Sequence, residues 1–153
     1  MNTILLEVKA AIQVLKPAHE VFEAIVDPAK MSNYFIEKST GRMEQGKKLS
    51  WKFPEFAAEV PVQVDRIEQD EYISYHWNDE DGTALLVEMT LTAKAGNATL
   101  VSITEKSRVN DEAGTRWLGR NTEGWANFLA SLKAYLEYGI NLRKGAFDFM
   151  KAD

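Results

Sequence analysis

His76 stands three residues before Asp79, Glu80 and Asp81 in the stretch YHWNDEDG, residues 75–82. A histidine beside several carboxylates is the raw material of a metal site or of an acid–base pair. Both need further partners. A zinc site needs at least three convergent protein ligands, and the only other histidine, His19, is far away in sequence. NDEDG lacks the ligand spacing and closing Glu of a calcium loop. Neither histidine has an evident Ser or Asp partner, no Ser lies in a nucleophile elbow, and STGRMEQGK at 39–47 does not match a phosphate loop. The chain has no cysteine, which removes disulfides, thiolate metal sites and cysteine nucleophiles. No metal, no cofactor and no catalytic residue is expected. What remains for YHWNDEDG is a strand running into a turn, where Asp and Gly serve the backbone.

Alternation supports that reading. Tyr72, Ser74 and His76 share one face, and Ile73, Tyr75 and Trp77 share the other. If the aromatic set faces the core, His76 faces solvent. The same period of two runs through Val8, Ala10, Ile12 and Val14, then Leu49, Trp51 and Phe53, then Val60, Val62 and Val64. It returns in Leu85, Val87, Met89 and Leu91, and in Val101 and Ile103. Asp81-Gly82 and Gly96-Asn97 are hairpin signals between these runs, so residues 49–104 predict an antiparallel meander with one buried face.

Two helical stretches interrupt or follow the strands. In 17–35, Val21, Phe22, Ile25 and Val26 form an apolar stripe, and Asp27-Pro28 stops that helix and caps a second short one. From about Ala113 to Tyr138 a long helix is predicted, with Trp117, Asn121, Trp125, Phe128, Leu132 and Tyr135 on one face and Gly139 as its stop. The order is strand, two short helices, a run of strands, one long helix. The sheet's apolar face needs cover, and only the long helix is large enough.

The bulk numbers narrow the function. The chain has 153 residues, enough for one domain with its own core. Its net charge of −5 and the lack of a clustered basic face argue against nucleic acid. No stretch approaches the ~18 apolar residues of a membrane span. Glu7 and Lys9 break the apolar start, so it does not read as a signal peptide. A cytoplasmic location is expected.

The candidate site residues are those that the two periods point inward. Trp51, Phe53, Phe56, Tyr75, Trp77, Met89, Trp117, Trp125 and Phe128 fit a packed core, and equally the wall of an apolar pocket. Glu105 continues the inward phase of Val101 and Ile103 at a strand end, and Asn121 sits mid-stripe on the helix. Buried polar groups cost free energy unless paired. Two readings are open: Glu105, Asn121 and Tyr75 orient a polar group of a ligand, or Glu105 reaches solvent or pairs with Arg108, Arg116 or Arg120 while Asn121 bonds a backbone carbonyl. Phe147, Phe149 and Met150 in the tail INLRKGAFDFMKAD need cover as well, either on the domain or on a second subunit as in a homodimer.

Three stretches, PAHEVFEAIVDPAKMSNYF at 17–35, STGRMEQGKKLSWKF at 39–53 and EGWANFLASLKAYLEYG at 123–139, resemble the START-like (SRPBCC) superfamily. Within it they are most similar to the heat-shock chaperone ATPase activator-like family; YISYHW looks like that family's fifth strand. The resemblance spans about residues 6 to 139. It implies an α+β helix-grip fold, also called START-like or Bet v 1-like, with a curved antiparallel sheet wrapped around a long C-terminal helix. It implies one domain over 1–139, a C-terminal tail over 140–153, and a cavity between sheet and helix. Fold alone does not set function. The leading expectation is non-catalytic binding of a small, mainly apolar ligand, a lipid or hydrophobic metabolite. The alternatives are a chaperone-associated interaction module and a cyclase- or hydratase-type enzyme that uses Glu105.

Overall fold

The computed structural model describes residues 4–151. Residues 1–3 of the expected domain and 152–153 of the expected tail lie outside the described residues. The elements run β1 (Leu5–Val14), α1 (Ala18–Val26), α2 (Pro28–Met31), β2 (Lys38–Ser39), β3 (Lys48–Lys52), β4 (Glu59–Glu68), β5 (Tyr72–Asn78), β6 (Ala84–Lys94), β7 (Ala98–Val109) and α3 (Glu112–Tyr138), then a 3₁₀ turn at Asp148–Met150. The seven strands form one antiparallel, curved sheet in the order β1-β7-β6-β5-β4-β3-β2. This is the α+β helix-grip architecture.

Alternation places the sheet's inner face. Val62 and Val64 on β4, Tyr75 on β5, Val87 and Met89 on β6, and Val101 and Ile103 on β7 are all buried. Helix α3 lays Trp117, Trp125, Phe128, Leu129 and Leu132 against them. Two points differ from the sequence reading. The two-residue strand β2 is too short to carry a period and was not legible. Helix α1 also covers part of the sheet, burying Val21, Phe22, Ala24, Ile25 and Val26 near β6 and β7. The cover is therefore shared between α3 and α1.

The helix ends follow local chemistry. The Asp27 carboxylate accepts from Ala29 N–H at 2.9 Å and caps α2, with Pro28 at its first position. Asp111 caps α3 through Gly114 N–H at 2.7 Å. Gly139 closes α3 in the left-handed region at φ 66°, a conformation that glycine adopts without a Cβ penalty. Tyr34, in the loop after α2, donates to Ala24 C=O at 2.9 Å and stacks on Tyr135 of α3. It ties α1, α2 and α3 together, and burial pushes its hydroxyl pKa well above the ordinary value.

The loops at the far end of the meander place the future site. Asp79 N–H donates to Thr83 C=O at 2.8 Å and Gly82 N–H to Asp79 C=O at 2.9 Å, so Asp79 to Gly82 is a hairpin turn. A register shift where β1 meets β7, opposite Leu6/Glu7, lies just past Glu105. Strand β7 runs on to Val109, which makes Glu105 a mid-strand residue rather than the strand end expected. Among the described residues, no helix is long and apolar enough to cross a membrane.

Candidate functional site: an aromatic cavity with a buried carboxylate behind its wall

Glu105 is 0 % exposed. Its side chain accepts three hydrogen bonds: from Trp77 Nε1 at 2.7 Å, from Asn121 Nδ2 at 2.7 Å and from Trp125 Nε1 at 3.2 Å. Among the described residues, no Lys, Arg or His lies within salt-bridge distance of it. All three partners direct N–H groups at its two oxygens. The array therefore suits a carboxylate, which only accepts. Solvent contact and arginine pairing, both open from sequence, are excluded: Arg108 and Arg120 pair with Asp79, and Arg116 pairs with Glu112. Asn121 bonds this carboxylate rather than a backbone carbonyl.

The donors to Glu105 form one wall of a cavity of about 530 Å³. Trp77 comes from β5, and Asn121, Trp125 and Phe128 from α3. Phe53 and Phe56 come from the loop after β3, and Phe35 from the loop after α2. Phe35 is the hub: its ring centroid lies 5.1 Å from Phe53, 4.7 Å from Phe128 and 6.1 Å from Trp125. Trp77 and Trp125 are 5.8 Å apart, tilted by 34°. Such edge and tilted geometries favour aromatic pairs beyond plain burial.

Six of the sequence-derived candidates thus line the cavity: Phe53, Phe56, Trp77, Asn121, Trp125 and Phe128. The other five sit behind the wall or elsewhere in the core. Trp51 packs between Phe35, Tyr75 and Trp77. Tyr75 is wholly buried, and its hydroxyl has no hydrogen-bond partner. Burial first, and the Glu105 charge second, push its pKa well above the ordinary value. Met89 lies between Ile73 and Ile103 in the sheet, away from the cavity. Trp117 is buried near the start of α3, with its indole N–H unpartnered. Glu105 backs the wall without lining it.

The mouth is charged. Asp79 and Glu80 of the hairpin turn line it with Arg120 and Glu123 of α3. Asp79 accepts from Arg120 at 3.0 Å and from Arg108 at 2.6 Å, and Arg108 also reaches Asp81 at 2.7 Å. The Arg108 guanidinium, helped by Thr83, holds the Asp81 carboxyl far below the usual carboxylate range. Two of the three acids after His76, Asp79 and Asp81, are thus counter-ions for two arginines. His76 is exposed and pairs with Asp65 of the neighbouring strand β4, and His19 pairs with Asp70 at 2.9 Å. Both histidines therefore have an Asp partner, which the sequence reading missed because each acid lies on another segment. Both pairs lie at the surface, outside the cavity. Among the described residues, no three His, Cys, Asp or Glu side chains converge as a metal site would require.

The tail folds back over the mouth. Arg143 donates to Glu55 through two nitrogens, at 2.8 and 3.2 Å, and both side chains are largely buried, 15 % and 4 % exposed. The guanidinium also lies over Phe53 and Phe147. Phe147, Phe149 and Met150 reach the cavity's rim. The tail finds partial cover on the domain: Phe147 is half-buried, while Phe149 remains 82 % exposed. Phe35, Glu55 and Arg143 are the site residues that sequence reasoning missed. They lie in loops and in the tail, where no period marks an inward face.

Two expectations follow. Glu105→Leu leaves three N–H donors without their acceptor, and the buried Trp125 indole alone should cost about 1–3 kcal/mol; urea unfolding of both proteins measures it, and an unchanged midpoint would remove the carboxylate from any structural role. Arg143→Gln breaks a bidentate, largely buried pair. Amide exchange over residues 140–151 should then quicken by at least about tenfold while exchange in the sheet stays the same. Equal exchange in the tail would show that the pair does not hold it.

The comparisons with known proteins agree with this geometry. The sequence profile described as "Activator of Hsp90 ATPase homolog 1-like protein" matches residues 16–137. The chain is similar to the crystal structure of the protein SSP2350 from Staphylococcus saprophyticus, at 30% identity over 90% of this chain and 96% of that one, with a TM-score of 0.79. It shares its fold with the Aha1 dimer from Colwellia psychrerythraea (14% identity, 88% and 98% covered, TM-score 0.75). It shares it also with DynU16, a putative protein in the dynemicin biosynthetic locus (24% identity, 88% and 48% covered, TM-score 0.77). The chain thus spans about half of DynU16. The comparison with curated proteins yields no match. With its helix-grip sheet, its capped C-terminal helix and this profile over most of its length, the chain belongs to the activator of Hsp90 ATPase homolog 1-like family of the START-like superfamily.

Proposed function

We propose that the domain binds a small, mainly apolar molecule in the cavity between sheet and α3, without acting on it chemically. The observation that carries this is the cavity itself: about 530 Å³, walled by Phe35, Phe53, Trp77, Trp125 and Phe128, with Asn121 as a fixed polar group. Ligand sites have that size and that make-up, mostly apolar with few placed polar groups. The hydrogen bonds to Glu105 hold two indoles and one amide in set orientations, and such preorganisation lowers the cost of binding. The same bonds weigh against a cyclase or hydratase. Both oxygens of Glu105 are engaged, and its donors, not the carboxylate, face the cavity. A lipid or hydrophobic metabolite is the ligand class that suits the wall.

Gly124 offers a direct test. It lines the cavity, and a Cβ there would meet nothing within 4 Å. Gly124→Phe should fill the space, keep the fold, and weaken binding of lipophilic probes at least about tenfold, in keeping with lost pocket contacts. A screen of lipids and metabolites read by tryptophan emission and melting temperature supplies the probes. If no probe shifts either signal in the parent protein, the reading fails.

A second reading, docking to a chaperone, draws on the family's description and on the exposed tail residues Ile140, Leu142 and Phe149. It expects the ATPase rate of an Hsp90-type chaperone to rise when the protein is added; an unchanged rate, with no complex recovered in a pull-down, sets it aside. We also read the chain as cytoplasmic, in keeping with its lack of cysteine. Self-association is suggested by the dimeric Colwellia protein, with the size of the particle in solution as its check.

A further inference from the structure

We propose that the molecule held in this cavity is an organic cation, an apolar body carrying an ammonium-type group. This rests on the apolar-ligand reading above and names the ligand's charge. The first observation is the charge balance of the lining. Arg143 is matched by Glu55, and Arg120 and Arg108 are matched by Asp79 and Asp81. No guanidinium near the cavity is left over for a ligand carboxylate or phosphate. Glu80 and Glu123 also line the mouth, and neither has a cationic partner among the described residues. They are exposed, so salt screens them.

The second observation does not depend on the rim. Glu105, 0 % exposed and without a counter-ion, stands directly behind the aromatic wall. Trp77 and Trp125 donate their indole N–H groups to it at 2.7 and 3.2 Å. Donation to an anion pushes electron density into the ring and makes its π face a better seat for a cation. Aromatic faces already attract ammonium groups, Trp most strongly, and several rings together form the cages that recognise quaternary ammonium ligands. Trp77 and Trp125 are tilted by only 34° at 5.8 Å, with Phe35, Phe53 and Phe128 beside them. In a site of low polarity a carboxylate held by neutral donors, with no counter-ion, acts over several ångströms, attracting a cation and repelling an anion.

The experiment uses the intact chain and three probes with the same apolar body: octyltrimethylammonium, octanol and octanoate. Binding is read by calorimetry and tryptophan emission at low and high salt. The expected order is ammonium, then alcohol, then carboxylate, with at least a tenfold gap between first and last that narrows only in part at high salt. Glu105→Gln keeps the size and removes the charge, and it should shrink the gap several-fold; a folded Glu105→Gln protein with the full gap would overturn the role given to Glu105. Should that variant fail to fold, Glu80→Gln with Glu123→Gln serves instead, where the gap should narrow at low salt and remain at high salt. Equal affinities, or tighter octanoate, overturn the cation proposal and leave the apolar-ligand reading standing. No binding of any probe overturns both.

Discussion

A carboxylate withdrawn from water and given no cation must take its stabilisation from hydrogen-bond donors, and those donors must be brought to it. Glu105 is such a group, and the rest of the structure is arranged around that need. Its three donors come from two elements, Trp77 from β5 in the same sheet and Asn121 and Trp125 from α3 packed over it. Satisfying Glu105 therefore fixes how the helix sits on the sheet. An all-apolar contact would tolerate sliding; a carboxylate with three fixed donors does not. The indole planes that wall the cavity take their orientation from the same bonds.

The polar chain continues outward. With its nitrogen given to Glu105, the Asn121 side chain presents its oxygen to Arg120 Nε at 3.3 Å. Arg120 joins Asp79, Asp79 joins Arg108, and Arg108 joins Asp81. Buried charge, helix surface and hairpin turn thus form one connected set. The inner links, at Glu105 and between Arg108 and Asp79, are shielded from water, where electrostatic interactions are screened less. The outer ones, at Asp81 and Arg120, are more exposed and worth little alone.

Much of this was legible in the sequence, for identifiable reasons. Where a segment has a period, its inward face can be read, and Tyr75, Trp77, Trp125 and Phe128 fell where alternation or helical spacing put them. Glu105 was visible as a polar residue in an apolar phase, and Asn121 as one in an apolar stripe. Their joining was not visible, because contact between residues 16 positions apart on different elements is not a property of either segment. The same holds for His76 and Asp65. Phe35, Glu55 and Arg143 lie in loops and tail, where side-chain direction is set by tertiary contact alone. The acids after His76 looked like chemistry; the partners of Asp79 and Asp81, Arg108 and Arg120, lie 27 to 41 positions on.

Helix α3 follows all seven strands along the chain. The concave sheet therefore forms, or tries to form, before its main cover exists. Strand β1 also waits, since its partner is β7, with Leu5 paired to Val109. Until residues 112–138 arrive, the inner aromatic face is open to water and Glu105 has only the Trp77 indole among its final donors. Topologies with such long-range pairings fold slowly and stay exposed to misassociation. The inner face of the unfinished sheet is thus the part of the chain most open to misassociation until α3 covers it.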